Sequence, residues 1–220
     1  MANSYNNINS ISKTTSGNIE IVCEERILSR RFFNKIAKNE LFTIEDFDGF
    51  TYQDSMHNLD PFTIQKIIIK YIPVNSWHYI INAFTTNTTI IDIDIHTIYD
   101  SFEMCYTFLQ IINYNKTIKK LSINMPILID NAQYVVQAMQ KNKTIEELNI
   151  VIDNNINLTT KAIAKKEQYE YQIYKLIERN IKINNLDKIM EQFILAINRK
   201  KLFLPEDILI SIGNICFNMY

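Results

Sequence analysis

Isoleucine and leucine recur in one pattern four times along the chain. Each copy begins with a Thr-Ile dipeptide and continues as L-x-x-L-x-L, where L stands for Ile or Leu. The copies begin at Thr63, Thr89, Thr117 and Thr144, at steps of 26, 28 and 27 residues. Because the second part of each copy alternates apolar and polar positions, it predicts a short β-strand with one buried face. We therefore expect strands near residues 64, 90, 118 and 145.

A helical pattern precedes each of the last three strands, over residues 76–86, 102–114 and 131–141. Apolar residues recur six, seven and ten positions before each Ile anchor, a spacing that places them on one helix face. Each helix is followed by a turn that contains Asn87, Asn115 or Asn142. Asparagine tolerates the left-handed conformation that ends a helix, so we expect that conformation here. One unit is therefore helix, turn and strand.

A unit of this size cannot bury its apolar face alone, so we expect successive units to stack with strands on one side and helices on the other. The unit resembles the leucine-rich repeat of the ribonuclease-inhibitor type, which is also found in proteins of intracellular bacteria. It differs in having Ile in place of most Leu residues and no regular Gly after the strand. The resemblance implies a short α/β solenoid, with parallel strands on a concave face, that binds another protein.

The remaining sequence suggests four regions along the chain. Residues 1–17 are rich in Asn, Ser and Thr and predict a flexible tail. Residues 18–59 contain an amphipathic helical stretch over 24–38 and predict an N-terminal cap, which the array at 60–155 requires. Residues 156–220 predict a helical C-terminal domain. We expect helices there over residues 161–182 and 186–199, and a third helix after Pro205.

The polar positions of the predicted strands all point to the concave face, because successive side chains of a strand alternate between its two sides. They form three columns across the array, and we expect them to bind a protein partner. The candidate partner-binding residues are Lys66, Lys70, Asp92, Asp94, His96, Lys120, Ser122, Asn124, Glu147 and Asn149. In the first column, the alternation of charge favours cross-strand pairs of Lys66 with Asp92 and of Lys120 with Glu147.

An alternative interpretation treats Asp92, Asp94 and His96 as an enzyme or metal site, since two carboxylates and an imidazole share one strand face. The neighbouring columns bring lysines rather than further ligands. With 3 Gly in the chain there is no glycine-rich phosphate loop, and the 3 Cys form no Cys-x-x-Cys pair. We therefore expect no cofactor, no metal and no enzymatic activity.

Charge and hydropathy narrow the classes of partner. The formal net charge is −1, which argues against a nucleic-acid or membrane-surface binder, and no apolar run is long enough to span a membrane. The many Ile, Asn and Lys residues have AT-rich codons, which is typical of host-restricted microbes. Residues 1–17 contain no apolar run, so we expect a cytoplasmic protein without a secretory signal peptide. The resemblance to repeat proteins of intracellular bacteria implies an alternative, a host-directed effector translocated without a classical signal peptide.

A second resemblance lies near the C-terminus. The segment that begins at Leu204 and Pro205 and continues through Ile208, Leu209 and Ile212 is similar to the start of an F-box motif. It is shorter than a full F-box, since 15 residues follow Pro205. The resemblance implies that these five residues bind the adaptor of a ubiquitin ligase while the repeats select a substrate. The alternative is a C-terminal capping helix.

Overall fold

The computed structural model describes residues 10–13, 19–24, 30–47, 50–52, 61–70, 77–96, 102–153 and 160–200. They form a mixed α/β structure with a seven-stranded, mostly parallel sheet. The strands are β1 (Ser10–Lys13), β2 (Ile19–Glu24), β3 (Thr51–Tyr52), β4 (Lys66–Lys70), β5 (Asp92–His96), β6 (Lys120–Leu128) and β7 (Glu147–Asp153). The α-helices are α1 (Arg30–Ala37), α2 (Trp77–Thr86), α3 (Phe102–Tyr114), α4 (Ile129–Lys141) and α5 (Thr160–Lys200).

The strands and helices that the repeat predicts are confirmed. The sheet order is β3-β1-β2-β4-β5-β6-β7, so β4 to β7 lie side by side in chain order, and they run parallel. Helices α2, α3 and α4 each connect two neighbouring strands, and consecutive helices pack against each other. The helices therefore form a second layer on one side of the sheet.

The isoleucine anchors lie in the core between these layers. Ile64, Ile90, Ile118 and Ile145 are each 1% exposed, and they belong to one continuous apolar cluster that includes residues of every described strand from β4 to β7. Burial of an isoleucine side chain stabilises a fold by about 1.5–3 kcal/mol. The repeated anchor thus accounts for a large share of the driving force in each unit.

Three buried asparagines, which we call the asparagine ladder, join one unit to the next. They are Asn87, Asn115 and Asn142, and at most 3% of each is exposed. The Oδ1 atom of each accepts hydrogen bonds from the backbone N–H groups two and three residues later. The Nδ2 atom donates to carbonyl oxygens of the preceding unit; for Asn115 these are Phe84 O at 2.7 Å and Asn87 O at 2.9 Å. Each ladder asparagine therefore closes its own turn and also binds the turn before it.

The left-handed conformation expected at these turns is wrong for Asn142, which has φ −80° and ψ 132°. An extended backbone there lets Oδ1 reach forward to the next amides, as in an Asx turn. Among the described non-glycine residues, the one with a positive φ is Asn39, at 55°. Asn39 follows α1, where the Glu40 N–H bonds to Lys35 O and the Asn39 N–H to Ile36 O, the two hydrogen bonds of a Schellman motif.

The N-terminal region differs from the expected flexible tail over residues 1–17, because residues 10–13 form β1. This strand pairs antiparallel with β2, and its Ile11 is 1% exposed. Strand β1 has a single apolar residue, Ile11. Its polar composition is therefore like that of a flexible tail, although Ile11 itself is buried. The amphipathic stretch predicted over 24–38 is a helix from Arg30 onward. Strand β2 runs parallel to β4 and extends the sheet by one further unit.

The C-terminal region contains one long helix, where the sequence predicted two. Helix α5 is 41 residues long and runs through the expected break at residues 183–185. Neither Gly nor Pro occurs there, so nothing in the backbone chemistry ends the helix. The helix expected after Pro205 lies outside the described residues. Among the helices that the structure describes, none is both long and apolar enough to cross a membrane.

An arginine of α5 takes the place of the next ladder asparagine. Arg179 Nη2 donates to Met139 O at 3.0 Å and to Asn142 O at 2.6 Å. These carbonyls are equivalent to Ile112 O and Asn115 O, which Asn142 binds one unit earlier. The adjacent Asn180 is fully buried, and its Nδ2 donates to Ile145 O at 2.8 Å. Helix α5 therefore ends the ladder by satisfying the carbonyls that a further unit would otherwise bind.

Replacing Asn115 by Ala is expected to lower the free energy of unfolding by about 3 kcal/mol, because it leaves two backbone N–H groups and Phe84 O without their buried partner, while Asn87 O keeps a hydrogen bond from the Thr117 hydroxyl. Urea denaturation at neutral pH measures this change. The matched control is Asn82→Ala, at an exposed helix position, where a change within about 0.5 kcal/mol is expected. Equal losses in both variants would contradict the role of the ladder.

Replacing Arg179 by Lys is expected to lower the free energy of unfolding by about 1–2 kcal/mol, since an ammonium group cannot reproduce the planar fork that binds several carbonyls. Backbone amide exchange in residues 173–184 should accelerate more than exchange in α2. Lys182→Met, at an exposed position of the same helix, serves as the control. Unchanged exchange in the Arg179 variant would show that the guanidinium does not hold α5.

Candidate functional site

The candidate site is the sheet face opposite the helices. The strand register brings together the columns that the sequence predicted: Lys66 lies opposite Asp92, Asp92 opposite Lys120, and Lys120 opposite Glu147. The alternate residues of β4, β5 and β6, such as Ile67 and Ile93, are buried on the helix side, and Leu148 and Ile150 of β7 are partly buried against the same core. All ten candidate partner-binding residues lie on β4 to β7 and are partly or fully exposed.

The sequence reasoning missed one member of the first column. Strand β2 pairs with β4 and places Glu20 opposite Lys66. The signal was present, because Ile19, Ile21 and Cys23 are all buried, whereas Glu20 and Val22 between them are half-buried. The column is therefore Glu20, Lys66, Asp92, Lys120 and Glu147, with charges that alternate across five strands.

The ion pairs of this column leave Asp92 in an unusual position. Lys66 Nζ lies 3.0 Å from Glu20 Oε2, and Lys120 Nζ lies 2.8 Å from Glu147 Oε2. The pair of Lys120 with Glu147 is confirmed, whereas the salt bridge that Lys66 forms among the described residues is with Glu20 rather than Asp92. Burial raises the pKa of Asp92, and Lys66 and Lys120 offset this only in part. Asp92 is thus a partly buried carboxylate between two lysines that bind other acids.

The second column changes from apolar to polar along the sheet. Val22 lies opposite Ile68, and Asp94, Ser122 and Asn149 follow on successive strands. Asn149 Nδ2 donates to Glu147 Oε1 over 3.2 Å and so links the first two columns. A ligand on this face would therefore contact aliphatic side chains near β2 and β4 and hydrogen-bonding groups near β6 and β7.

The third column contains Lys70, His96 and Asn124 in register. The sequence pattern would place Val151 next, but Val151 lies opposite Pro126, because the register between β6 and β7 shifts after Ser122. Proline has no N–H to donate to a strand ladder, and such residues accompany local irregularities of a sheet. The third column therefore ends at β6.

The alternative metal or acid–base site is centred on β5. His96 Nε2 lies 3.0 Å from Asp94 Oδ2, so the structure brings these two side chains into contact. Asp94 Oδ1 is buried and has no hydrogen-bond partner among the described residues. In the same part of the chain, no group of three His, Cys, Asp or Glu side chains is arranged to hold a metal ion. The pair is a carboxylate–imidazole contact, and the enzyme interpretation stays a hypothesis.

The candidate adaptor-binding residues lie outside the described part of the chain. They are Leu204, Pro205, Ile208, Leu209 and Ile212. Their proposed role therefore rests on the sequence motif.

Comparison with known proteins does not assign a family. No protein-family model matches the sequence, and a search of curated proteins finds no match. Among solved structures the chain is similar to the structure titled "Leiomodin-1 Actin-Binding Site 2 (ABS2)", with a TM-score of 0.48 and 10% sequence identity. The similarity covers 77% of this chain and 99% of the leiomodin chain.

Replacing Asp92 by Asn is expected to raise the free energy of unfolding at neutral pH by about 0.5 kcal/mol after solvent screening. The folded pKa lies above the ordinary value of 3.8, so the folded protein holds this proton more tightly than the unfolded chain. The carboxylate therefore destabilises the fold above its folded pKa, and this effect disappears as the pH falls below the ordinary value. Urea denaturation at neutral and acidic pH measures the difference.

Glu147→Gln provides a control of opposite sign. The hydrogen bond from Lys120, assisted by Asn149, holds the pKa of Glu147 below its ordinary value of 4.5. Its contribution to stability is present above that value and is lost as the pH falls through the folded pKa, so the variant should be slightly less stable at neutral pH. Destabilisation by both substitutions would contradict the account of Asp92.

Proposed function

We propose that the chain is a protein-interaction module of the leucine-rich-repeat type, which binds a partner protein through the sheet face opposite the helices. The observation that carries this proposal is the contrast between the two sides of the same strands. Side chains on one side of the strands pack in the core. Those on the other side form aligned columns of charged, amide and aliphatic groups across five strands. Such a surface is broad and polar, which suits recognition of another protein.

The repeat assignment is supported by contacts as well as by sequence period. Each of three turns uses an asparagine in the same role, and each strand follows at the same position in the unit. Parallel strands in chain order and helices on one side are the arrangement expected when short repeats stack. A host-directed effector role is a further step, which rests on the family resemblance and the AT-rich codon usage alone.

The charges on the face favour a partner with a basic group near β5. Glu20 and Glu147 neutralise Lys66 and Lys120, whereas Asp92 and Asp94 on β5 have no lysine within ion-pair distance among the described residues. A basic group of the partner near β5 would complement this pattern. Electrostatic complementarity of this kind sets specificity and association rate more than affinity.

Site-specific photo-crosslinking tests the location of the binding face. A photoreactive amino acid at Ser122, on the sheet face, is expected to capture the partner from cells, whereas the same group at Gln137, exposed on α4, is not. With the captured protein purified, Asp94→Arg should weaken binding at least about tenfold, and Gln137→Arg should leave it unchanged. Capture through Gln137 alone would move the binding site to the helix layer.

A second candidate function is recruitment of a ubiquitin-ligase adaptor by the segment that begins at Leu204. The supporting observation is the F-box-like sequence Leu-Pro-Glu-Asp-Ile-Leu. Calorimetric titration of the full chain with a eukaryotic F-box adaptor should show micromolar binding, about −8 kcal/mol, that Leu204→Ala combined with Ile208→Ala abolishes. A folded protein that does not bind the adaptor would leave this segment without an adaptor role.

A further inference from the structure

The outer edge of β7 is a surface that the proposed binding face does not use. Strand β7 is the last strand of the sheet, so among the described residues no strand lies beside this edge. In a parallel sheet, alternate residues turn their backbone N–H and C=O groups toward the same neighbour. The Glu147 N–H donates to Lys119 O, on the β6 side, so the backbone groups of Leu148 and Ile150 point away from β6. They have no hydrogen-bond partner in the described part of the chain, and an edge of this kind pairs readily with a further strand.

The helix layer extends one element further than the sheet. Helix α5 lies beside α4, because Lys165 bonds to Asp130 at the start of α4 and Arg179 bonds to Met139 near its end. Its first half therefore takes the place of the helix in a further unit. In the earlier units a turn and a strand follow the helix, whereas α5 continues as a helix to residue 200. The described sheet thus ends one element before the helix layer does.

The apolar residues of β7 show the same difference. Leu148 and Ile150 lie on the helix side of the strand and are only partly buried. The residues in register with Leu148 on the two preceding strands, Leu121 and Ile93, are 1% and 0% exposed. An interior strand is covered along both edges, whereas β7 is covered along one. A further strand with apolar residues at the matching positions would bury the rest of Leu148 and Ile150.

The repeat pattern and the charges indicate what kind of strand fits this edge. Strands β4 to β7 each begin with a charged residue on the sheet face, followed by an aliphatic, a variable and an aliphatic residue. Charge alternates along the first column and ends at Glu147, whose side chain is 47% exposed although it pairs with Lys120. A basic residue in the next strand would continue the alternation, as Lys66 does between Glu20 and Asp92. A second copy of β7 in the same direction would instead place Glu147 opposite Glu147, which is unfavourable.

We propose that the outer edge of β7 binds an extended segment of the partner protein, which joins the sheet as a further parallel strand. Its sequence is a basic residue opposite Glu147, an aliphatic residue opposite Leu148, any residue, and an aliphatic residue opposite Ile150. Backbone hydrogen bonds supply affinity in this mode of recognition, and the alternate side chains supply specificity. The inference rests on the proposed function in that the partner is a protein, and it adds a second contact outside the sheet face.

Fluorescence anisotropy of the full chain with a labelled peptide tests this proposal. The probe copies residues 117–124, Thr-Ile-Lys-Lys-Leu-Ser-Ile-Asn, a strand segment that has the required pattern and already pairs parallel with β7 on its other edge. A dissociation constant of about 100 μM or tighter is expected, and a scrambled peptide of the same composition should bind at least about tenfold more weakly. Equal binding of the two peptides, or no binding because residues 201–220 or a second copy already cover the edge, would overturn the proposal.

N-methylated peptides test whether binding uses the backbone edge. Methyl groups on the amides copied from Lys120 and Ser122, which would face β7, should abolish binding. Methyl groups on the amides copied from Leu121 and Ile123, which would face away, should leave it intact. The same effect from both pairs would contradict a strand added to β7.

A charge exchange tests the position of the basic residue. Glu147→Lys should weaken binding of the peptide about threefold, and a peptide with Glu in place of the facing Lys should recover it. Gln137→Arg, on α4, is the control and should change neither. Failure of the edge site is distinguishable from failure of the proposed function. Capture of the partner through Ser122 without any peptide binding would overturn the edge site alone.

Discussion

The hydrogen bonds of three buried asparagine side chains hold successive units in one fixed relation. Asn87, Asn115 and Asn142 each satisfy two amides of their own turn and at least one carbonyl of the turn before it. A buried turn would otherwise leave these backbone groups unpaired, which costs about 1–3 kcal/mol for each. Because the side-chain amide of each asparagine pairs these turn groups, it is the feature on which the stacking depends.

The ladder also explains why the sheet face is ordered. Each strand begins at the same distance from its asparagine, so equivalent strand residues meet side by side, and the columns of the candidate site are in register across β4, β5 and β6. At the two ends of the array, different contacts replace those of a neighbouring unit. At the first end Asn87 reaches back to Ile36 O, near the turn that Asn39 closes, and at the last end the guanidinium of Arg179 replaces an amide. Equivalent turn carbonyls are thus bound by an asparagine amide within the array and by an arginine guanidinium at its last end.

Much of the architecture could be predicted from the spacing of isoleucines. The repeat period was enough to locate β4 to β7 and α2 to α4. A strand or helix that buries one side must carry apolar residues at the period of that side, and this spacing can be read from the sequence. Other features depend on tertiary contacts that carry no such period. Strand β1 is stabilised by pairing with β2 and contains one core residue, so its polar composition predicted a tail. The continuity of α5 followed from the lack of a helix breaker, which the pattern of apolar residues does not reveal.

The candidate site was predictable as a set of columns but not in its ion pairs. Strand alternation fixed which residues share the face, whereas the partner of Lys66 depends on Glu20, which lies far away in sequence. The shift at Pro126 likewise arises from pairing between two strands rather than from either strand alone. The role of the asparagines was visible only as a recurring residue, since the preceding carbonyls that they bind are about 30 positions away.

Exchange of the asparagine side-chain amide protons, followed by NMR on selectively labelled protein, tests the ladder most directly. The account predicts that the Nδ2 protons of Asn115 and Asn142 exchange at least about a hundredfold more slowly than those of exposed Asn82, and together with the core backbone amides. Exchange of all these side chains at the same rapid rate in the folded protein would contradict it, because amides that join one unit to the next cannot be open to water.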